Sequence, residues 1–233
     1  MTTEEIDRQL PQDPRLPTLR EQLADVSLCV LLDARSDGME FEQLLTILLE
    51  AGVRMIQIRD KSASDAVLLD RGQRAAAVAQ RIAAAAIITV NDRIAVAAAA
   101  GIDGVHIGAD DLPVPLARQL LGSKQLIGRT AHDLNEARAA AAAGADYLGI
   151  GPCYPSTTKA FARQASREFL RSTAAEIPLP IFAIGGITPD RLDELAAIGI
   201  QRVAVSAAVT AAADPAAAAG RFLEALSRRT VRR

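Results

Sequence analysis

The feature that most constrains this chain is a regular alternation of two hydrophobic periods. From residue 26 onward, short apolar runs recur between stretches with helical spacing. The strand-like runs are 26–32, 54–58, 86–90, 103–107, 125–128, 146–150, 180–184 and 201–205. They are apolar on consecutive positions, as strands covered on both faces are. The helical stretches lie near 40–51, 64–82, 93–99, 114–121, 133–143, 166–176, 188–198 and 214–228. Proline enters the first turn in Thr188-Pro189-Asp190 and Asp214-Pro215, and glycine closes Ala51-Gly52, Ala143-Gly144 and Ile198-Gly199. Repeated βα units of this kind predict an α/β fold, a single (β/α)8 TIM barrel over 26–233. The alternative is an open doubly wound sheet, which calls for a Gly-rich first turn. The first strand is followed instead by Asp33-Ala34-Arg35-Ser36. Residues 1–25, broken by Pro11, Pro14 and Pro17, read as a short N-terminal extension with one helix around Thr18 to Ala24.

Composition narrows the function. A chain of 233 residues suits one barrel, and half of them are hydrophobic, enough for a sizeable core. The net charge of −2 calls for neither nucleic acid nor a membrane surface. Only 3% of residues are aromatic and Trp is absent, which argues against base-stacking platforms. Cys29 and Cys153 lie far apart with no Cys-x-x-Cys or Cys/His cluster, so zinc is not expected. The low cysteine count fits a reducing, cytoplasmic setting. The acidic start Met-Thr-Thr-Glu-Glu-Ile-Asp has no apolar core of a signal peptide. The uncharged run Val203 to Ala213 is too short to span a bilayer. A homo-oligomer is compatible with the sequence.

Polar residues stand where the apolar runs end, and in a parallel barrel those ends converge on one rim. Strand two closes with Gln57-Ile58-Arg59-Asp60-Lys61. Alternation puts Gln57, Arg59 and Lys61 on one side, a cationic surface suited to a polyanion. The competing reading is a solvated charged loop. Asp92 and Asp111 follow strands three and four, neighbours about 4.8 Å apart. Carboxylates so placed repel unless a cation lies between them, and Mg2+ with its hard oxygen preference fits. Alternatively each caps the helix that follows it. Asn91 is placed to bond a phosphate oxygen. The loop Gly151 to Lys159 carries Ser156, Thr157, Thr158 and Lys159 behind two prolines, a stiff anion-binding segment. Gly185-Gly186 after strand seven and Ser206-Ala207 after strand eight occupy the usual phosphate position of such barrels. Cys153 and His106 read as packing residues, and His132 as a rim residue. A diphosphate donor and a phosphorylated acceptor are the economical ligands for two anion pockets.

Taken together, these segments resemble the thiamine phosphate synthase family. The matching motifs are Gln57 to Lys61, Asn91-Asp92, Gly104-Val105-His106-Ile107-Gly108 with Asp111, Ile127-Gly128-Arg129-Thr130, Gly151 to Lys159, and Ile184-Gly185-Gly186-Ile187-Thr188. The resemblance implies condensation of a hydroxymethylpyrimidine diphosphate with a thiazole phosphate, giving thiamine monophosphate and pyrophosphate. It implies that Arg59, Lys61, Asn91, Thr130 and Lys159 hold the diphosphate, with Gln57, Ile58 and Asp60 in the same binding segment. Catalysis would rest on Arg59, Lys61 and Lys159. Asp92 and Asp111 would ligate Mg2+. Ser156, Thr157 and Thr158 would contact the thiazole, and Gly186, Ser206 and Ala207 would seat its phosphate. The implied chemistry is dissociative: the diphosphate leaves first, and the thiazole nitrogen captures a pyrimidinylmethyl cation.

Four residues depart from the family pattern: Ala109 for Gln, Thr130 for Ser, Ser156 for Thr and Ala207 for Ser. Two other functions compete. One is a thiazole tautomerase on the same barrel, with His132 as acid/base, which needs neither diphosphate nor Mg2+. The other is a catalytically silent barrel that binds a phosphorylated ligand.

Overall fold

The computed structural model describes residues 18–33, 40–83, 85–108, 110–155 and 164–230. Its strands are β1 (Leu28–Leu32), β2 (Met55–Ile58), β3 (Ile87–Asn91), β4 (Gly104–Ile107), β5 (Leu126–Ala131), β6 (Tyr147–Ile150), β7 (Ile181–Ile184) and β8 (Arg202–Val205). They pair in sequence order, all parallel, into a closed barrel. The ring closes where β1 meets β8 in the register Leu28↔Val203 to Val30↔Val205. That pairing selects the barrel over the open sheet, whose first and last strands would not be hydrogen-bonded neighbours.

Around the barrel lie α2 (Phe41–Glu50), α3 (Asp65–Ile82), α4 (Ile94–Ala100), α5 (Val114–Leu121), α6 (Leu134–Ala142), α7 (Arg167–Glu176), α8 (Leu192–Ala196) and α10 (Pro215–Thr230). A helix α1 (Leu19–Ala24) precedes β1, and a short α9 (Ala207–Thr210) follows β8. Among the described residues, no helix is long and apolar enough to cross a membrane.

Period two sorts each strand between two cores. Val30, Leu32, Ile56, Ile58, Ile88, Val90, Leu148 and Ile150 face outward and pack under the helices. Cys29, Leu31, Met55, Ile87, Leu126, Tyr147, Phe182 and Ala204 fill the interior. Both faces are apolar, which is why the strands read as unbroken hydrophobic runs.

Four helix-to-strand turns share one design. Gly52, Gly101, Gly144 and Gly199 adopt φ of +96°, +64°, +88° and +90°, conformations that side chains disfavour. A buried Val53, Ile102, Ala145 or Ile200 follows. The next residue is polar and belongs to the floor of the barrel. Asp103 accepts from Ile88 N–H at 2.7 Å. Asp146 accepts from Ile127 N–H at 2.7 Å and from Arg118 at 2.6 Å.

The helix expected around Thr18 to Ala24 is α1, started by a Thr18/Glu21 capping box. Leu19 and Leu23 join the interior core, and Arg20 reaches Asp146 at 2.7 Å. Arg202 donates to the carbonyls of Ala24 and Val26. The helix thus plugs the barrel floor. Residues 1–17 lie outside the described residues.

Three elements differ from the sequence reading. The stretch 188–198 begins as a 3-10 turn, Pro189–Arg191, before α8. Helix α9 was not expected, because four residues of Ala-Ala-Val-Thr carry too little pattern to stand out. Strand β5 runs on to Ala131, pairing Thr130 with Gly149. Its polar Arg129-Thr130 reads as rim in sequence, yet the ladder extends through it.

Candidate active site

The acid pair assembles at the C-terminal rim. Asn91 stands opposite His106, and the next amide, Asp92 N–H, donates to the His106 carbonyl at 2.8 Å. Asp92 has φ +63° and is the one non-glycine residue with positive φ among those described. That conformation costs on the order of 1 kcal/mol, and Asp tolerates it better than most. Asp111 lies beyond the end of β4, but its Oδ2 accepts from Gly108 N–H at 2.6 Å, folding it back over the strand end. The two side chains meet. Burial pushes the Asp92 carboxyl above its usual range, and contact with Asp111 pushes it further. Lys61 and Arg59 oppose that rise, Lys61 from 3.9 Å.

The capping alternative is not realised. Arg93 is the N-cap of α4 and Pro113 that of α5, and neither helix has a side-chain cap. Among the described residues, no three His, Cys, Asp or Glu cluster as metal ligands. Two carboxylates are therefore what meets at this point among the described residues.

Strand β2 delivers its segment with two orientations. Gln57 is buried in the barrel interior and Lys61 is exposed at the mouth. Ile58 points outward into the helical layer, so only its backbone faces the mouth. Asp60 is engaged within its own loop. Its carboxylate accepts from Ser62 N–H, Ser62 Oγ, Ala63 N–H and Arg71. Burial opposes ionisation there, but those donors hold the group down to about 2.

Below the mouth, His106 and Thr130 form a second tier. His106 Nε2 lies 3.0 Å from Thr130 Oγ1. Burial, then Arg129, lower the imidazole to about 4, with Asp111 opposing and Arg59 adding to the fall. The ring is neutral near pH 7. Gln57 and Thr89 face the Tyr147 hydroxyl beneath it.

The opposite side of the rim is made of backbone. Cys153 N–H donates to Ile184 O at 2.9 Å and Tyr154 N–H to Gly185 O at 3.1 Å. The loop after β6 therefore lies directly on the glycine pair. A Cβ on Gly186, at φ +61°, would stand 2.2 Å from Pro155 O. This is a demand that the sequence did not signal: glycine is needed there for loop packing. Arg191 sits 4.4 Å above the Tyr154 ring and donates to Gly186 O at 2.8 Å. Tyr154 OH donates to Glu194 at 3.1 Å. His132 Nδ1 lies 3.1 Å from Gly151 O and so braces the same loop. Ser206 Oγ donates to Leu31 O at 3.1 Å, so its hydroxyl is engaged with β1. Ala207 opens α9. Cys153 is buried and its thiol is pushed up to about 12, as a packing residue would be.

Ser156, Thr157, Thr158, Lys159 and Ala109 lie outside the described residues. Of the residues singled out in the sequence, Arg59, Lys61, Asn91, Asp92 and Asp111 belong to one sector of the rim, and Gln57 and Thr130 lie in the interior beneath it. Gly186, Ser206 and Ala207 belong to the other. His132 stands out in the sequence as a rim residue and Tyr154 lies within the Gly151 to Lys159 motif, whereas the bracing role of Arg191 carries no periodic or motif signal.

Comparison with known proteins fits this geometry. A family model described as thiamine monophosphate synthase matches residues 28–209. A thiamine-phosphate synthase of Mycobacterium sp. strain JLS is 40% identical over 224 residues, covering 93% of this chain and 97% of the relative. One from Synechococcus sp. strain WH7803 is 40% identical over 210 residues, or 89% of this chain. The chain spans only 59% of that cyanobacterial relative's length. The structure of a thiamine phosphate pyrophosphorylase from Pyrococcus furiosus superposes with a TM-score of 0.80 at 31% identity. That match covers 91% of this chain and 99% of the other.

Proposed function

The chain belongs to the thiamine monophosphate synthase family, and from that premise we propose that it condenses a hydroxymethylpyrimidine diphosphate with a thiazole phosphate. The products are thiamine monophosphate and pyrophosphate. The observation that carries this reading is the meeting of Asp92 and Asp111 beside Lys61 at the barrel mouth. Carboxylates in contact favour a cation between them. A pair is too few to enclose an ion, and that suits Mg2+, which commonly takes one or two carboxylates and completes its shell with water and substrate phosphate. Asp92 and Asp111 would hold it, and bound there it supplies positive charge against the departing pyrophosphate.

The remaining roles fall to the chain's own groups. Arg59, Lys61 and Lys159 stabilise charge on the leaving group, and Asn91 and Thr130 donate hydrogen bonds to it. Gln57 reaches into the interior, where the pyrimidine end would sit. Ile58 and Asp60 contribute the backbone of that segment. Ser156, Thr157 and Thr158 contact the thiazole. Its phosphate rests on backbone N–H groups at Gly186 and at the start of α9, Ser206 and Ala207, because the Ser206 hydroxyl is engaged elsewhere. The methylene–oxygen bond breaks with its electron pair leaving on pyrophosphate, and the thiazole nitrogen captures the cation. No side chain has to remove a proton, in keeping with the weak basicity of His106, whose imidazole burial lowers to about 4.

Pure protein incubated with both substrates and Mg2+ tests the reading. Equimolar thiamine monophosphate and pyrophosphate are expected. Thiazole isomerisation alone would replace it with the tautomerase. Saturable binding without turnover would replace it with the silent barrel.

A further inference from the structure

We propose that His106 is a positioning residue for this reaction: its Nε2–H donates to Thr130 Oγ1 and thereby aims the Thr130 hydroxyl proton at the diphosphate. The inference rests on the reading of Thr130 as a diphosphate ligand.

The barrel is built around this imidazole. A Cβ on Gly128 would stand 2.5 Å from His106 Nδ1 and 2.1 Å from Tyr147 Cζ. A Cβ on Gly149 would stand 3.0 Å from His106 Cε1 and 3.3 Å from Nε2. Glycine weakens a strand interior, yet β5 and β6 both carry it beside this one ring. If only volume were needed there, side chains on β5 and β6 could supply it. Tyr147 closes the remaining side, its ring centroid 5.5 Å from that of His106. The ring is thereby held with Nε2 toward Thr130.

Proton inventory sets the direction of the bond. A hydroxyl has one proton and two lone pairs, and a neutral imidazole has one N–H. If Thr130 gave its proton to His106, it would offer an anion only lone pairs. If His106 gives its proton, the Thr130 proton is left for the ligand. The second arrangement leaves Nδ1 as a bare acceptor. Nδ1 is buried and has no hydrogen-bond partner among the described residues. An orphaned acceptor is tolerated better than an orphaned N–H. The β-branched Thr130 adds stiffness at χ1, so one contact suffices to fix its hydroxyl.

The test is a double-mutant cycle in kcat and KM for the pyrimidine diphosphate. His106→Leu is expected to lower kcat about tenfold, the scale of a hydrogen bond to a charged group, with a smaller change in KM. His106→Gln, whose amide reaches the Nε2 position, should recover most of that loss. Adding His106→Leu to Thr130→Val should cost nothing further. If the Leu variant does not fold, His106→Asn, whose shorter amide reaches only the Nδ1 position, takes its place. Losses that multiply in the double variant, or a Gln variant as slow as the Leu one, would overturn the inference. A Thr130→Val variant with parental kinetics would overturn the reading of Thr130 itself, and this inference with it.

Discussion

The floor and the mouth of the barrel use the same residue types and resolve them in opposite ways. At the floor, Asp146 accepts from Ile127 N–H, Arg118 and Arg20. Its charge is matched by donors on β5, α5 and α1, and nothing is left over for a ligand. At the mouth, Asp92 meets Asp111, and the cation paired with it among the described residues, Lys61, is 3.9 Å away and largely exposed. Lys61 and Arg59 relieve the repulsion there only in part, since the Asp92 carboxyl stays above its usual range. A carboxylate ringed by donors stabilises the fold, whereas one pressed against another stabilises whatever cation arrives.

Removing charge at the mouth is the strongest challenge to this contrast. Asp92→Asn or Asp111→Asn should slow pyrophosphate release by about 10²–10³, roughly 2.7–4 kcal/mol in the barrier. The metal-free melting temperature should hold or rise. Variants that melt early with normal turnover would make the acid pair structural and break the comparison. At the floor the outcome should invert. Asp146→Ala should lose about 2–3 kcal/mol in urea denaturation, from a broken ion pair and an unpaired Ile127 N–H. Its kcat below the unfolding transition should match the parent.

The pH dependence sharpens the comparison. The Asp92 pKa is raised in the folded state, by burial first and Asp111 second. Its stabilising contribution is therefore present below the ordinary carboxylate pKa and lost as pH rises through the raised one. The metal-free Asp92→Asn variant should gain on the parent in melting temperature across that rise, and Mg2+ should cancel the gain. Asp60 supplies the opposite sign. Burial opposes its ionisation, but its donors bring it from 3.8 to about 2. That contribution is present above 3.8 and lost as pH falls toward about 2. The melting difference between the parent and Asp60→Asn should shrink over that window. The smallest effect should come from Ser206→Ala, about 1 kcal/mol of stability for one neutral hydrogen bond. Its KM for the thiazole phosphate should stay unchanged, because the hydroxyl is engaged with the Leu31 carbonyl. A change in KM would bring the hydroxyl back into the phosphate site.

Much of the architecture was legible because both periods are local. Unbroken runs such as Leu28–Leu32 and Ile87–Val90 announce strands buried on two faces. Positive-φ glycines such as Gly52 and Gly144 mark where helices stop. The Asp92 and Asp111 pairing was legible as well, since consecutive barrel strands are neighbours. Less legible was which polar residues are engaged inside the protein. Asp60 sits in the same motif as Arg59 and Lys61, yet its carboxylate turns to Ser62 and Arg71. Ser206 sits beside Ala207, yet bonds to a carbonyl of β1. Gly186 serves a neighbouring loop through its closeness to Pro155.

The sequence by itself determined the barrel and the order of its strands. Each follows from hydrophobic period and chain order, quantities that no distant partner can change. The tertiary structure alone decided which rim groups are free to act. His106 became more than a packing residue only once Gly128, Gly149 and Tyr147 enclosed it. Satisfaction of a polar group depends on donors and acceptors brought in from other strands, and spacing along one strand holds no record of them.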